Sequence, residues 1–349
     1  MNHKKLFLTG GTGFIGSNLA ERFVRGGYKV VALARPTSDL RFIQEYADSG
    51  QIEVRKGDVK RKEDLCELMG DCDTLVHCAS FVGDWGRKED YYKTNVEGTR
   101  NIFESAKRSG ISSAVLVSSN AVLGEEDCSK AKREEDPYNP LFPYFLRRFF
   151  ESDMNHYRNT KALAERLAID LSENNGLDLT VVRPVWVYGP REFNAGPYIF
   201  CKSILSGNRF FPGSKDNKFH TIYVKDLSEM VFRLLEKRKG GVNIFNAGSE
   251  EVKTLDEFLG TFCDVLGKKH PVYLPRQVAY PIGLGMESLY KLFKSGKAPL
   301  LTRARVEMGY CNNIYDINKI RKEVGPIRDT PLKESIEKTV NWWRENGYL

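Results

Sequence analysis

The segment Thr9-Gly10-Gly11-Thr12-Gly13-Phe14-Ile15-Gly16 constrains this chain more than any other, because a β-rich run, Leu6 to Leu8, enters it and a helical pattern, Ser17 to Arg25, leaves it. Glycines at 10, 13 and 16 let the chain turn sharply, bring its backbone close to a pyrophosphate and pack the new helix tightly on the strand. The helix N-terminus adds free N–H groups and a positive dipole end, both suited to an anion. The turn predicts a dinucleotide site at the first strand–helix junction of an α/β domain.

The following residues continue that grammar. Short β-rich runs at Val30 to Leu33, Ile52 to Val54, Thr74 to Cys78, Ala114 to Val117 and Leu179 to Arg183 alternate with helical stretches at Lys62 to Met69, Asn95 to Arg108 and Thr160 to Asn174. Strands alternating with helices predict a doubly wound parallel sheet, a Rossmann arrangement covered on both faces. We place the dinucleotide-binding domain at 1–183, with 219–246 returning to it, and a smaller α/β substrate-binding domain at 184–349. In the latter, helical patterns run from Leu255 to Leu266 and from Leu332 to Glu345, and Pro271, Pro275, Pro281 and Pro299 punctuate a region read as lid-like.

Strand ends nominate the other cofactor contacts. A reader of a ribose 2'-hydroxyl would be acidic at the end of the second strand, but Ala34-Arg35-Pro36 stands there, and Arg35 suits a 2'-phosphate. Arg41 offers a second charge. NADP(H) is therefore expected, with NAD(H) as the alternative. Asp58 and Val59 are expected beside the adenine, Cys78, Ala79 and Ser80 beside the ribose and pyrophosphate, and Pro184 at the sixth strand end. Asp58 also suits a helix N-cap, and His77 suits a structural role.

Tyr157-Arg158-Asn159-Thr160-Lys161 is expected to open a helix and puts a phenol and an ammonium four residues apart, on one helical face. A carbonyl that accepts hydride becomes an alkoxide needing a proton, and a tyrosine supplies it near neutral pH when a neighbouring positive charge stabilises its phenolate. Lys161 is placed for that, and for gripping the nicotinamide ribose. Ser119, after the fifth strand, is chosen over Ser118 to hold the substrate oxygen. Asn95 is a candidate for binding a proton-relay water and equally for an exposed or capping role. The same spacing recurs at Tyr290 and Lys294, where no parallel strand lies just upstream, and is read there as an amphipathic helix.

With those residues in hand, the chain resembles the extended short-chain dehydrogenase/reductases over nearly its whole length. Asn95 to Thr99, Arg183 to Pro190, His220 to Leu227 and Asn246-Ala247-Gly248 carry the likeness beside the glycine turn and the Tyr157/Lys161 pair. The resemblance implies an oxidoreductase with Ser119, Tyr157 and Lys161 as its catalytic trio and Gly10, Thr12, Gly13, Phe14, Ile15, Gly16, Arg35, Asp58 and Val59 among its cofactor contacts. Nucleotide-sugar epimerases usually have asparagine at the place of Trp186 and arginine at that of Phe219, both for a diphosphate. Nucleotide-sugar dehydratases usually have Asp-Glu where Asn120-Ala121 stands. These departures make the chain more like the 3β-hydroxysteroid and sterol dehydrogenase branch and its dihydroflavonol-reductase-like relatives, and imply a hydrophobic small-molecule substrate. A nucleotide-sugar epimerase with tightly bound NAD is the alternative, and a non-catalytic cofactor sensor a weaker one. The resemblance also allows a homodimer.

Composition narrows the partners. The net charge of +7 is dispersed, without a basic stripe interleaved with stacking aromatics, so no nucleic acid is expected. Seven cysteines without a Cys-x-x-Cys pair predict reduced thiols, no metal and a cytoplasmic protein. No signal peptide or membrane span is expected, which leaves membrane contact only as a peripheral event. Between Ser119 and Tyr157 lies an aromatic and basic insert, Pro140 to Phe150, read as a pocket roof, a membrane rest or packing against the neighbouring domain.

Overall fold

A computed structural model describes residues 4–146, 151–193, 196–237, 239–293 and 295–349. Its first half runs β1 (Lys5–Thr9), α1 (Phe14–Arg25), β2 (Lys29–Ala34), α2 (Gln44–Asp48), β3 (Ile52–Lys56), α3 (Leu65–Met69) and β4 (Thr74–His77). Next come α4 (Lys88–Tyr91), a π turn (Tyr92–Glu97), α5 (Gly98–Arg108), β5 (Ser113–Val117), a 3-10 turn (Asn120–Leu123), α6 (Asp153–Asn175) and β6 (Asp178–Pro184). The second half adds β7 (Trp186–Tyr188), α7 (Gly196–Leu205), β8 (Phe210–Pro212), β9 (Lys218–Phe219), β10 (Thr221–Tyr223), α8 (Val224–Lys237) and β11 (Val242–Ala247). The last elements are β12 (Lys253–Thr254), α9 (Leu255–Leu266), β13 (Val272–Leu274), α10 (Arg276–Leu292), α11 (Arg303–Met308), α12 (Asn318–Val324) and α13 (Leu332–Glu345).

Seven strands form one parallel sheet in the order β3-β2-β1-β4-β5-β6-β11. The chain reverses direction across the sheet between β1 and β4, and that crevice at the strand ends is where ligands bind in such sheets. Alternation along β1 explains the two layers: Leu6 and Leu8 face α1 and α8 through Leu19, Phe23, Leu227 and Met230. Phe7 faces the other way, toward Ile102 and Phe103 of α5 and Ala168 of α6. A separate aromatic cluster, including Tyr188, Phe258, Phe262 and Trp343, joins β7, α9 and α13. The strand β11 extends the sheet beside β6, from Val242 opposite Leu179 to Ala247 opposite Pro184.

Two expectations fail locally. Tyr157 does not open its helix, since α6 starts at Asp153 and places it a turn further in. Pro281 does not punctuate either: α10 runs through it. Proline removes one helical N–H and crowds the preceding turn, and here it sits on the exposed side of the helix, where the freed carbonyl can meet water. All seven cysteines are free. Among the described residues no helix is long and apolar enough to cross a membrane.

Candidate active site

The glycine turn is shaped by close approach. Gly10 has φ 72°, and a Cβ on it would lie 2.7 Å from the Ala79 nitrogen; one on Gly16 would lie 2.1 Å from the Gly10 oxygen. Gly13 caps α1 in extended backbone without a side-chain hydrogen bond. The first N–H groups of α1 thus lack a side-chain acceptor, and the tight, glycine-floored cradle fits a pyrophosphate. Thr12, Phe14 and Ile15 are half-buried around it.

The β4 end is bound to the cradle through Thr9, whose Oγ1 accepts the N–H groups of Cys78 and Ala79, each at 3.2 Å. The same hydroxyl meets Nδ1 of His77 at 2.7 Å, Nε2 of His77 meets Thr99 Oγ1 at 3.0 Å, and Thr99 donates to the Asn95 carbonyl at 2.6 Å. With Thr9 donating to Nδ1, the chain reads consistently as a neutral ring protonated on Nε2. Burial, assisted by the Lys161 charge, pushes the His77 pKa down to about 3, so it remains uncharged. Its role is structural, as the sequence reading favoured.

Asn95 departs from expectation. Its amide oxygen accepts from Ser80 Oγ at 3.0 Å and Phe81 N–H at 2.7 Å, and its amide nitrogen donates to the Phe81 carbonyl at 3.2 Å and Thr160 Oγ1 at 3.0 Å. Those bonds use the amide's capacity, so it ties the loop after β4 to α6 instead of holding a relay water.

The three candidate catalytic side chains meet at the ends of β4 and β5. Ser119 is extended and accepts from Ala121 N–H at 3.2 Å as the 3-10 turn begins. Lys161 is buried, and its Nζ donates to the Val117 carbonyl at 2.9 Å. Burial lowers its pKa to about 8, against the pull of Cys78 and Glu165. Burial lifts the Tyr157 phenol to about 12, opposed by a hydrogen bond with Ser119 and by the Arg158 charge. The expected activation of the phenol by Lys161 is therefore not a dominant influence here, since the ammonium is turned to the Val117 carbonyl. The thiol of Cys78 is likewise raised to about 11 by burial.

Behind the trio lies a network that the sequence reading did not single out. Glu165, fully buried on α6, accepts from Arg183 Nε (3.0 Å) and Nη2 (2.6 Å), from the Tyr138 hydroxyl (2.7 Å) and from the Ser118 hydroxyl. This explains why Ser119 and not Ser118 remains available. Glu165 follows Lys161 by one helical turn, as Lys161 follows Tyr157, so that spacing was the signal which could have found it.

The remaining cofactor candidates are peripheral to the trio. Arg35 is exposed at the end of β2, where its backbone closes a turn with Ser38 (2.9 Å). Arg41, the second expected charge, is held by Asp39 and by the Tyr348 hydroxyl at 2.7 Å. Asp58 accepts from Lys60 N–H at 3.0 Å, a local turn, while Val59 is in the core and its carbonyl takes the Asn101 amide at 3.0 Å. Pro184 is buried at the end of β6.

Beyond Ser119 a cavity of about 50 Å³ is lined by Asn120, Glu125, Phe142, Arg158, Trp186 and Phe219, among others. Trp186 and Phe219 face one another with ring centroids 5.2 Å apart. Arg158 is committed to Glu125 (2.7 Å) and the Tyr144 hydroxyl (2.7 Å). Of the aromatic insert, Phe142 roofs this cavity and Tyr144 is buried. Positions 147–150, with Arg147 and Arg148, lie outside the described residues.

Sheet order, glycine cradle and a buried Ser–Tyr–Lys cluster at the switch point define a Rossmann enzyme class that works on a nicotinamide dinucleotide. The chain belongs to the NAD-dependent epimerase/dehydratase family, whose sequence model matches residues 6–248. It is similar to a 2-alkyl-3-oxoalkanoate reductase from Shewanella oneidensis, 26% identical with 95% of this chain and 84% of the relative covered. A mouse decarboxylating sterol-4-alpha-carboxylate 3-dehydrogenase is 24% identical, with 97% and 90% covered. A Synechocystis putative dihydroflavonol 4-reductase is 27% identical, with 98% and 95% covered. In fold it matches a UDP-glucuronic acid 4-epimerase from Bacillus cereus in complex with NAD, at TM-score 0.76 and 21% identity over 98% of this chain and 99% of that one. A Bordetella bronchiseptica enzyme in complex with NAD+ gives TM-score 0.76 and 22% identity over 99% and 100%. The protein is an enzyme of the NAD(P)-dependent dehydrogenase, reductase and epimerase type, acting on CH–OH groups.

Proposed function

We propose that the protein interconverts a secondary alcohol and a ketone on a largely apolar small molecule, with NADP(H) as its hydride partner. The observation carrying this reading is the convergence of buried Ser119, Tyr157 and Lys161 at the strand ends beside the glycine cradle. The dinucleotide supplies or accepts the hydride. Ser119 holds the substrate oxygen by a hydrogen bond, and Tyr157, protonated throughout the neutral range, delivers its proton to that oxygen in the reducing direction. In the oxidising direction the phenolate form must be reached, which calls for Lys161 to leave the Val117 carbonyl and bring its charge toward the phenol.

Arg35 supports the 2'-phosphate preference, because it stands exposed where a 2'-hydroxyl reader would be acidic. Trp186 and Phe219 support an apolar substrate over a nucleotide sugar: both line the cavity, and neither side chain carries a charge to offset a diphosphate. A cavity of about 50 Å³ is too small for a ring system, so the Phe142 wall must move to admit one. The names of two relatives also share a chemical pattern, an oxygen-bearing carbon next to a carbon that carries a carboxylate.

The test is turnover of NADPH and NADH against a panel of 3-oxo acids, sterol ketones, dihydroflavonols and UDP-sugars. Reduction of an apolar ketone with NADPH is expected. Conversion of only a UDP-sugar, with cofactor retained through purification, would replace this reading by epimerisation.

A further inference from the structure

Helix α10 turns Glu287 and Lys291 inward and several aliphatic side chains toward solvent. Glu287 is buried and takes hydrogen bonds from Arg303 at 2.8 and 2.9 Å, while Lys291 reaches Asp153 at 2.8 Å. On the outer side Val278, Ile282, Leu289 and Leu292 recur at helical spacing, exposed by 47, 45, 55 and 74%, and Phe293 follows at 78%. The apolar surface continues onto Phe145, which with Arg276, Tyr280, Pro281 and Leu284 lines an open groove of about 570 Å³. Among the described residues nothing covers this stripe.

The charges around the stripe identify what it meets. Arg276, whose guanidinium also pairs with the buried Glu307, and Lys297 are exposed at its two ends, and the one acidic residue in the sequence between them is the buried Glu287. A two-fold pairing of such faces between two copies, with the helices antiparallel, would set Arg276 against Lys297 of the other copy and bring like charges together. We propose that this face docks on a bilayer surface containing anionic lipid, with α10 lying in the interfacial plane and its basic ends against headgroups. Phe142, in the segment that ends at this face, also roofs the inner cavity. Entry of an apolar substrate from the lipid side rests on the functional reading above, whereas docking does not.

The experiment is co-sedimentation of the full chain with vesicles of phosphatidylcholine alone or mixed with phosphatidylglycerol. Binding is expected to the mixed vesicles and to weaken as salt is raised. An Ile282→Glu, Leu289→Glu, Phe293→Glu variant should lose at least about tenfold in vesicle affinity, with melting temperature and cofactor affinity unchanged. Should melting temperature fall, the serine versions of the same three changes are used. Failure of the wild-type chain to pellet with mixed vesicles would overturn docking, as would equal pelleting by the folded variant. A wild-type dimer in size-exclusion chromatography that the variant converts to monomer would give the face to a second copy instead. None of these readouts uses turnover, so a wrong substrate assignment leaves the docking result standing.

Discussion

Helices α6 and α10 each carry a tyrosine four residues before a lysine, Tyr157 with Lys161 and Tyr290 with Lys294, and each buries a glutamate against an arginine. In α6 the tyrosine and lysine are buried among the ends of β4 and β5, within reach of Ser119 and next to the glycine cradle. In α10 Tyr290 is partly exposed, edge-on to Trp85 at 6.4 Å, and Lys294 lies outside the described residues. Spacing makes two side chains neighbours; only the elements packed around them make the pair a site. The comparison also separates two kinds of helix surface, one whose tyrosine–lysine face is buried under protein and one with an aliphatic stripe facing out.

The largest effect that would test this contrast is on turnover. Tyr157→Phe should lower kcat by about 10²–10⁴-fold with cofactor affinity kept, while Tyr290→Phe should change neither. Equal losses, or none from Tyr157, would erase the distinction drawn between the helices.

The buried ion pairs sharpen it next. Removing one partner of such a pair costs about 3–5 kcal/mol, since the other charge is left uncompensated. Glu165→Leu and Glu287→Leu should both lose stability in that range by urea denaturation. Only the change at Glu165, whose carboxylate favours the Lys161 ammonium, should also move the pH–rate profile.

A smaller effect concerns the cofactor. Arg35→Ala should weaken NADP(H) binding by about 10–100-fold and leave NAD(H) binding nearly unchanged, read by fluorescence titration. An equal fall for both cofactors would remove the 2'-phosphate assignment.

The smallest is a pH slope. Burial holds Lys161 at about 8 against an ordinary 10.5. Between those values the unfolded chain keeps a proton that the folded chain has lost, so stability from this site should rise as pH climbs from about 8 toward 10.5. Melting curves across that window should show the rise, and Lys161→Met should flatten it.

Much of the α/β half was legible because its signals are local. The run Leu6 to Leu8, the glycines at 10, 13 and 16 and the α1 pattern each depend on near neighbours, and the structure has the corresponding strand, turn and helix. The helix spans Leu255 to Leu266 and Leu332 to Glu345 were read to their ends, the first with a full capping box on Thr254 and Glu257. Less was legible where partners come from far along the chain. The role of Asn95 stays open in the sequence because nothing nearby reveals that Phe81 and Thr160 use its amide. The bond from Arg41 to the Tyr348 hydroxyl is likewise invisible in the sequence, because the two lie far apart along the chain.

Residues 9–16 alone called for a strand, a cradle and a helix, because backbone freedom and helix-end N–H groups are short-range properties. Alternating strands and helices then left few ways to build the sheet. Which tyrosine is buried against a serine, which carboxylate stands behind the lysine, and which helix shows its aliphatic side to solvent were decided by packing. Electrostatics and desolvation act through space, and a side chain's charge state depends on neighbours that the chain order does not disclose.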